Sequence, residues 1–173
     1  MMPLQGEYLG MSVAIPDVDR PNQEFYTHCG QGVLHLQSCV KCTLLRYPTT
    51  TACPWCAESE YVWTPVSGKG TLYSYGEVHH AIQPTFQQFT PYLILLVELD
   101  EQRDRPNRFD GLRINGNLAD ASGEMAKPEL VATVGIGSRL RVVFKSIGDG
   151  MAIPLWTLDT EIKQEAPWRY PDN

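Results

Sequence analysis

Two Cys-x-x-Cys pairs, "CVKC" at 39–42 and "CPWC" at 53–56, constrain this chain more than any other feature. A tight turn of that spacing brings two sulfurs to one ion and aims backbone amides at the thiolates. A second such turn completes a tetrahedral four-sulfur shell, which leaves no open position for a substrate. Cys39, Cys42, Cys53 and Cys56 are therefore expected to hold a structural Zn2+, with iron in a rubredoxin-type site as the alternative. The start "MMPLQGEYLG" shows neither a positive n-region nor an apolar h-region. The most apolar stretch, "YLILLVEL" at 92–99, is strand-sized. The expectation is a cytoplasmic chain with reduced thiols and no membrane span, which disfavours a disulfide framework. A thioredoxin-like redox pair would open a helix after a strand, and neither pair has that setting. Cys29, in "EFYTHCGQG", is read as a buried free thiol outside the ligand set.

The 173 residues suffice for one ordinary domain, or a modest domain with a small appendage, and 43% apolar content supports a real core. Residues 1–32 form an N-terminal segment. No element is predicted over 1–20, and a short amphipathic helix is predicted over 21–30, with Pro21 at its start and Gly30 or Gly32 as its stop. Residues 33–60 form the ribbon, in which "VLHLQ" leads into the first knuckle and Pro54 stiffens the second. From residue 61 to 160, strand patterns alternate with turn signals: "YVWTPV", "TLYSYGEVHH", "YLILLVEL", "LRINGNL", and "SRLRVVFKSI" joined to "MAIPLWTLD" by "GDG". "IQPTFQQFTP" reads as an irregular loop and "ASGEMAKPEL" as a turn or a single helical turn. Five or six strands with little helix predict a mainly β protein: short N-terminal helix, rubredoxin-like ribbon, then an OB-fold barrel. Residues 161–173 form a tail, loose unless Trp168 and Tyr170 dock.

The order and spacing of "GVLHLQSCVKC", "YPTTTACPWC", "WTPVSGKGTLYSYGEVHH", "PYLILLVELDE" and "IGSRLRVVFKSIGDGMAIPLW" resemble the acyl-CoA-associated OB-fold family with an N-terminal rubredoxin-like zinc ribbon. The resemblance covers residues 25–160. It implies a small subunit that scaffolds thiolase-fold enzymes or lipid-transfer-protein-like aldolases, or in some cases a MaoC-type enoyl-CoA hydratase, and helps to form the acyl-CoA channel. The loop at 101–115 departs from the family's short turn, being longer and more basic, so contacts there do not carry over directly.

No nucleophile elbow, ordered Ser/His/Asp set or phosphate-binding Gly loop is visible, so no independent catalysis is expected. His79 and His80 close a strand and are expected on opposite faces. Cations for CoA phosphates are sought at Arg103, Arg105 and Arg108, with Lys41 and Arg46 on the ribbon. Aromatics outside the predicted strands, Phe25, Tyr26, Phe86, Phe89 and Trp168, are the candidate partner surface. A zinc ribbon beside an OB-fold also fits nucleic-acid binding, with "YSY" at 73–75 for stacking. Against that reading stand the net charge of −6 and, over 61–160, nine Lys/Arg against eleven Asp/Glu.

Overall fold

The computed structural model describes residues 2–170. In chain order the elements are β1 (Leu4–Tyr8), β2 (Met11–Ile15), α1 (Arg20–Gly30), β3 (His35–Cys39), β4 (Leu45–Arg46), β5 (Tyr61–Pro65), β6 (Lys69–Val78), α2 (Pro84–Gln87), β7 (Tyr92–Leu99), a 3-10 turn (Asp100–Gln102), β8 (Arg113–Asn117), α3 (Pro128–Val131), β9 (Arg139–Gly148) and β10 (Met151–Leu158). The protein is mainly β, as the sequence patterns predict.

The barrel is a five-stranded antiparallel sheet in the order β10-β9-β6-β7-β8. It closes where its two edges meet: Leu118, just beyond β8, pairs in parallel with Trp156 of β10, and the Ala119 amide donates to the Trp156 carbonyl at 2.8 Å. Five antiparallel strands with one parallel closure are the OB-fold. The alternation of β7 explains its place at the centre. Leu93, Leu95, Val97 and Leu99 point inward and are fully buried, while Ile94 lies on the outer face. Trp156 fills the barrel interior with no exposure, and β8 passes so close that only glycine fits at Gly116. A Cβ there would lie 2.9 Å from the indole Cδ1.

The four-cysteine ribbon is a separate three-stranded sheet in the order β4-β3-β5. Its third strand lies past residue 60, in the stretch that the sequence reading assigns to the barrel. Tyr61–Pro65 pairs residue for residue with β3, from Cys39↔Tyr61 to His35↔Pro65, and so completes the ribbon sheet. Helix α1 forms where the Pro21 signal places it. Its Phe25 and Cys29 join Leu34, Leu36 and Leu45 of the ribbon and Leu72, Leu93 and Trp156 of the barrel in one apolar cluster. Ribbon, helix and barrel thus share a core. Two elements depart from the sequence reading. Residues 4–15 form a hairpin whose Leu4, Tyr8, Val13 and Ile15 pack on Ile147 and Met151 at the end of β9–β10. The loop before β7 contains the single turn α2, begun by Pro84.

Helix α1 is fastened to the ribbon by an aromatic stack. His28 lies on His35 of β3 with ring centroids 4.1 Å apart and planes 22° apart, and Trp63 of β5 sits 5.3 Å from His28. Trp63 donates from Nε1 to Glu24 at 2.7 Å. His35 Nδ1 meets the Val33 carbonyl at 3.2 Å, so that nitrogen carries the proton. Burial, and then the neighbouring His35, hold the His28 imidazole below its ordinary pKa, against the weaker opposite pull of Gln31 and Glu24.

Gly116→Ala should lower stability by about 1–3 kcal/mol through overpacking against Trp156. Gly76→Ala, where an added Cβ meets nothing within 4 Å, should change it little in the same urea titration. The His28 shift also sets a pH dependence. The folded state holds the imidazole neutral, and the unfolded chain binds a proton below an ordinary pKa of about 6.5. Stability from this stack is complete above that value and falls as pH drops through it toward the lower folded pKa. Urea midpoints measured from pH 7.5 to 5 should decline less in His28→Gln than in the wild type.

Candidate metal centre and flanking surfaces

The two knuckles are built alike. In the first, the Cys39 amide donates to the Leu44 carbonyl at 3.0 Å and the Thr43 amide donates back to Cys39 at 2.9 Å. In the second, Cys53 donates to Glu58 at 2.7 Å and Ala57 donates to Cys53 at 2.9 Å. Each turn closes through a residue with positive φ, Thr43 at 63° and Ala57 at 60°. An L side chain takes that conformation at a cost of about 1–2 kcal/mol. The repeated turn brings the two cysteine pairs together, and all four Sγ atoms lie within 4.8 Å of one another. Cys39–Cys56 and Cys42–Cys53 are each 3.5 Å apart. That is far beyond a disulfide bond of about 2.05 Å. It is close to the ~3.8 Å edge of a sulfur tetrahedron around an ion with bonds of about 2.3 Å. The donor set fits a metal ion.

The electrostatics agree. Amides of Cys42 and Lys41 aimed at its sulfur hold the Cys39 thiol down to about 6. At Cys53 burial opposes ionisation, but the amides of Trp55 and Cys56 outweigh it and the pKa is lowered. At Cys42 the Leu44 amide favours the thiolate, yet burial and the three neighbouring sulfurs outweigh it, and the thiol is pushed up to about 12. Four sulfurs this close cannot all ionise without a cation between them. Cys29 lies outside the cluster, fully buried, with burial pushing its thiol up to about 12.

Of the other sequence candidates, Arg46 is displaced from its expected role. It is 2% exposed, and its guanidinium donates to the carbonyls of Thr50, Ser59 and Glu60, the last at 2.8 Å, with Tyr61 beneath it. It fastens the chain on both sides of the second knuckle and has no face for a phosphate. Gln102 has a comparable task that sequence reasoning missed. Its buried side chain accepts from the Leu45 amide at 2.6 Å and donates to the Leu45 carbonyl at 3.2 Å, extending the ribbon's edge strand like another strand. Beside it, Glu101 accepts from the Ser67 amide at 2.5 Å. No local pattern announces such a glutamine, because its partner lies 57 residues away.

In the 103–113 loop, Arg103 donates to Thr71 at 2.6 Å and Asp100 at 3.0 Å. Arg113 pairs with Glu98 at 3.0 Å and covers the Tyr73 ring at 3.7 Å. Arg139 pairs with Asp100, holding that carboxyl below its ordinary value. Arg105 and Arg108 are exposed, Arg108 resting on Phe109. Lys41 is exposed beside the first knuckle. His79 and His80 both lie beyond the end of β6 and are exposed, so neither enters the barrel. Among the aromatic candidates, Phe25 is buried in the shared core and is not interface material. Tyr26 is half-buried. Phe86 is half-buried between Tyr8 and Tyr92, and Phe89 is also half-buried. Trp168 is 54% exposed and meets Tyr170 edge to face, with ring centroids 5.7 Å apart. The tail carrying it is docked: Trp168 pairs its backbone with Ile136, and Arg169 reaches Glu77 at 3.0 Å. Residues 171–173 of the tail lie outside the described residues. No described helix is long and apolar enough to cross a membrane.

Comparison with known proteins agrees with this architecture. Residues 63–145 match the family described as the ChsH2 C-terminal OB-fold domain. A solved structure described as an Ltp2-ChsH2(DUF35) aldolase superposes with a TM-score of 0.62 at 26% identity, covering 83% of this chain and 98% of that one. A "DUF35 domain-containing scaffold protein" of Methanocaldococcus jannaschii is 34% identical over 110 residues, 63% of this chain and 65% of that protein. A "Probable enoyl-CoA hydratase alpha subunit" of Thermomonospora curvata is 35% identical over 86 residues, half of this chain and 26% of that protein. The chain thus spans less than two thirds of each of these two relatives. These matches bear out the resemblance read from the sequence.

Elemental analysis should find one metal ion per chain. Cys42→Ser should lose it, and Cys29→Ser should retain it. Loss in Cys29→Ser would place that thiol among the ligands.

Proposed function

We propose that this chain, with its ChsH2-type OB-fold barrel and four-cysteine ribbon, is an auxiliary subunit that binds and supports a thiolase-fold or lipid-transfer-protein-like acyl-CoA enzyme in the cytoplasm. The observation that carries this reading is the superposition of 83% of the chain on 98% of a chain from a structure described as an Ltp2-ChsH2(DUF35) aldolase. In this reading the metal is Zn2+, and it is structural: four thiolates fill its coordination shell, so it holds the knuckles together and activates no substrate. Iron in the same shell is the alternative.

The chain's own groups serve recognition. Half-buried or exposed aromatics at Tyr26, Phe86, Phe89 and Trp168 offer apolar surface that a partner can cover. Arg105 and Arg108, outside the carboxylate pairs that occupy Arg103, Arg113 and Arg139, are placed to meet the phosphates of an acyl-CoA held in the complex, with Lys41 a further cation on the ribbon. The nucleophile and base come from the partner enzyme. A second reading, association with a MaoC-type enoyl-CoA hydratase, is favoured by the name of the Thermomonospora relative. Nucleic-acid binding is disfavoured, because three of the barrel's arginines are consumed by carboxylates and no basic stripe remains among the described residues.

Co-expression with a thiolase-fold enzyme and, separately, with a MaoC-type hydratase distinguishes these readings. The expected result is a stable complex with the former in size-exclusion chromatography, weakened by Trp168→Ala. Arg105→Glu combined with Arg108→Glu should leave the complex intact and weaken its CoA affinity by about tenfold. A complex with the hydratase alone would select the second reading. A chain that binds neither enzyme, yet retards an oligonucleotide at physiological salt, would overturn both.

A further inference from the structure

A groove of about 410 Å³ runs along the junction of ribbon and barrel, on a surface that does not include the 103–113 loop. Val33, Val142 and Phe144 give it apolar walls, and Lys69 and Arg141 give it cations. These two cations are direct cross-strand partners in the β6–β9 ladder. Like charges placed opposite each other weaken a strand pair, so their presence at a concavity calls for a compensating anion. Part of it is internal. Lys69 lies 3.4 Å from the fully buried carboxylate of Asp159 and 2.7 Å from Glu161. Glu161 is 73% exposed and sits just beyond β10, where its amide donates to the Asp159 side chain at 3.0 Å. Arg141 pairs with no carboxylate among the described residues. The chain's own Glu161 therefore shows that the groove accepts a carboxylate on Lys69, and it leaves the second cation, Arg141, unsatisfied.

We propose that this groove binds a small organic anion, a carboxylate or phosphate monoester carried on an apolar body. Its charged end lies between Arg141 and Lys69, and its body lies against Val33, Val142 and Phe144. Glu161 is the internal competitor that an incoming anion displaces from Lys69. The volume suits such a ligand, since small-molecule sites begin at about 300 Å³. Arginine's planar fork and lysine's point charge together can accept either oxyanion. The inference does not depend on the partner enzyme.

The test uses the full metal-loaded chain and calorimetric titration with 4-phenylbutyrate, phenyl phosphate and the uncharged 4-phenylbutanol. Saturable binding of at least one anion and none of the alcohol is expected, and the preferred anion identifies the ligand source as carboxylate or phosphate ester. Arg141→Gln should weaken binding by about tenfold, and Glu161→Gln should tighten it several-fold by removing the exposed competitor from Lys69 while Asp159 stays in place. Glu161 is exposed enough that its variant will fold even if Arg141→Gln does not. Absence of saturable anion binding up to about 10 mM, or equal affinity in Glu161→Gln and wild type, would overturn the proposal.

Discussion

The ribbon depends on four sulfurs that cannot share their space without a cation. Its three strands are short, and β4 pairs through only two residues. A sheet of that size buries too little apolar surface to hold a single geometry alone. The knuckle amides lower the cost of ionising Cys39 and Cys53, and the crowding of the sulfurs keeps Cys42 protonated until a cation arrives. A metal bound there would couple to ordering of the turns, and the positive-φ residues Thr43 and Ala57, each directly after a cysteine of the cluster, would be held in place with it.

Buried polar side chains fasten the four-cysteine ribbon to the barrel. Arg46 satisfies three carbonyls around the second knuckle, and Gln102 reaches from the end of β7 to complete the edge of β4. Breaking either would leave buried backbone groups unpaired, at about 1–3 kcal/mol each. The apolar cluster running from Cys29 through Leu36 to Trp156 makes the joint continuous. Such a molecule presents its surfaces in fixed relation, which the proposed auxiliary role requires. It also explains why the exposed chemistry is concentrated on loops and at the ribbon junction, where no strand pairing consumes it.

Much of this was legible in the sequence because the signals were local. Cysteine spacing gave the knuckles, Pro21 the helix, and Gly-Asp-Gly the β9–β10 hairpin, whose three turn residues all take positive φ. The less legible parts depend on distant partners. Alternation in "YVWTP" identifies a strand but not the sheet it joins, so its pairing with β3 came only with the structure. The β1–β2 hairpin buries few side chains of its own and is fixed by Ile147 and Met151, far along the chain. An arginine on a ribbon reads as a surface cation until the carbonyls that surround Arg46 are known, and an aromatic on an amphipathic helix, such as Phe25, fits a core and an interface equally well.

The proposed role has this rigid unit support an acyl-CoA enzyme through its surface loops, with the four-cysteine ribbon serving only structure. Hydrogen–deuterium exchange of the chain, alone and in complex with the proposed thiolase-fold enzyme, tests it most directly. New protection is expected at the turn around Phe86 and Phe89, in the 103–113 loop and around Trp168, with the two knuckles equally protected in both states. Protection confined to the knuckles, with the aromatic surfaces unchanged, would contradict it.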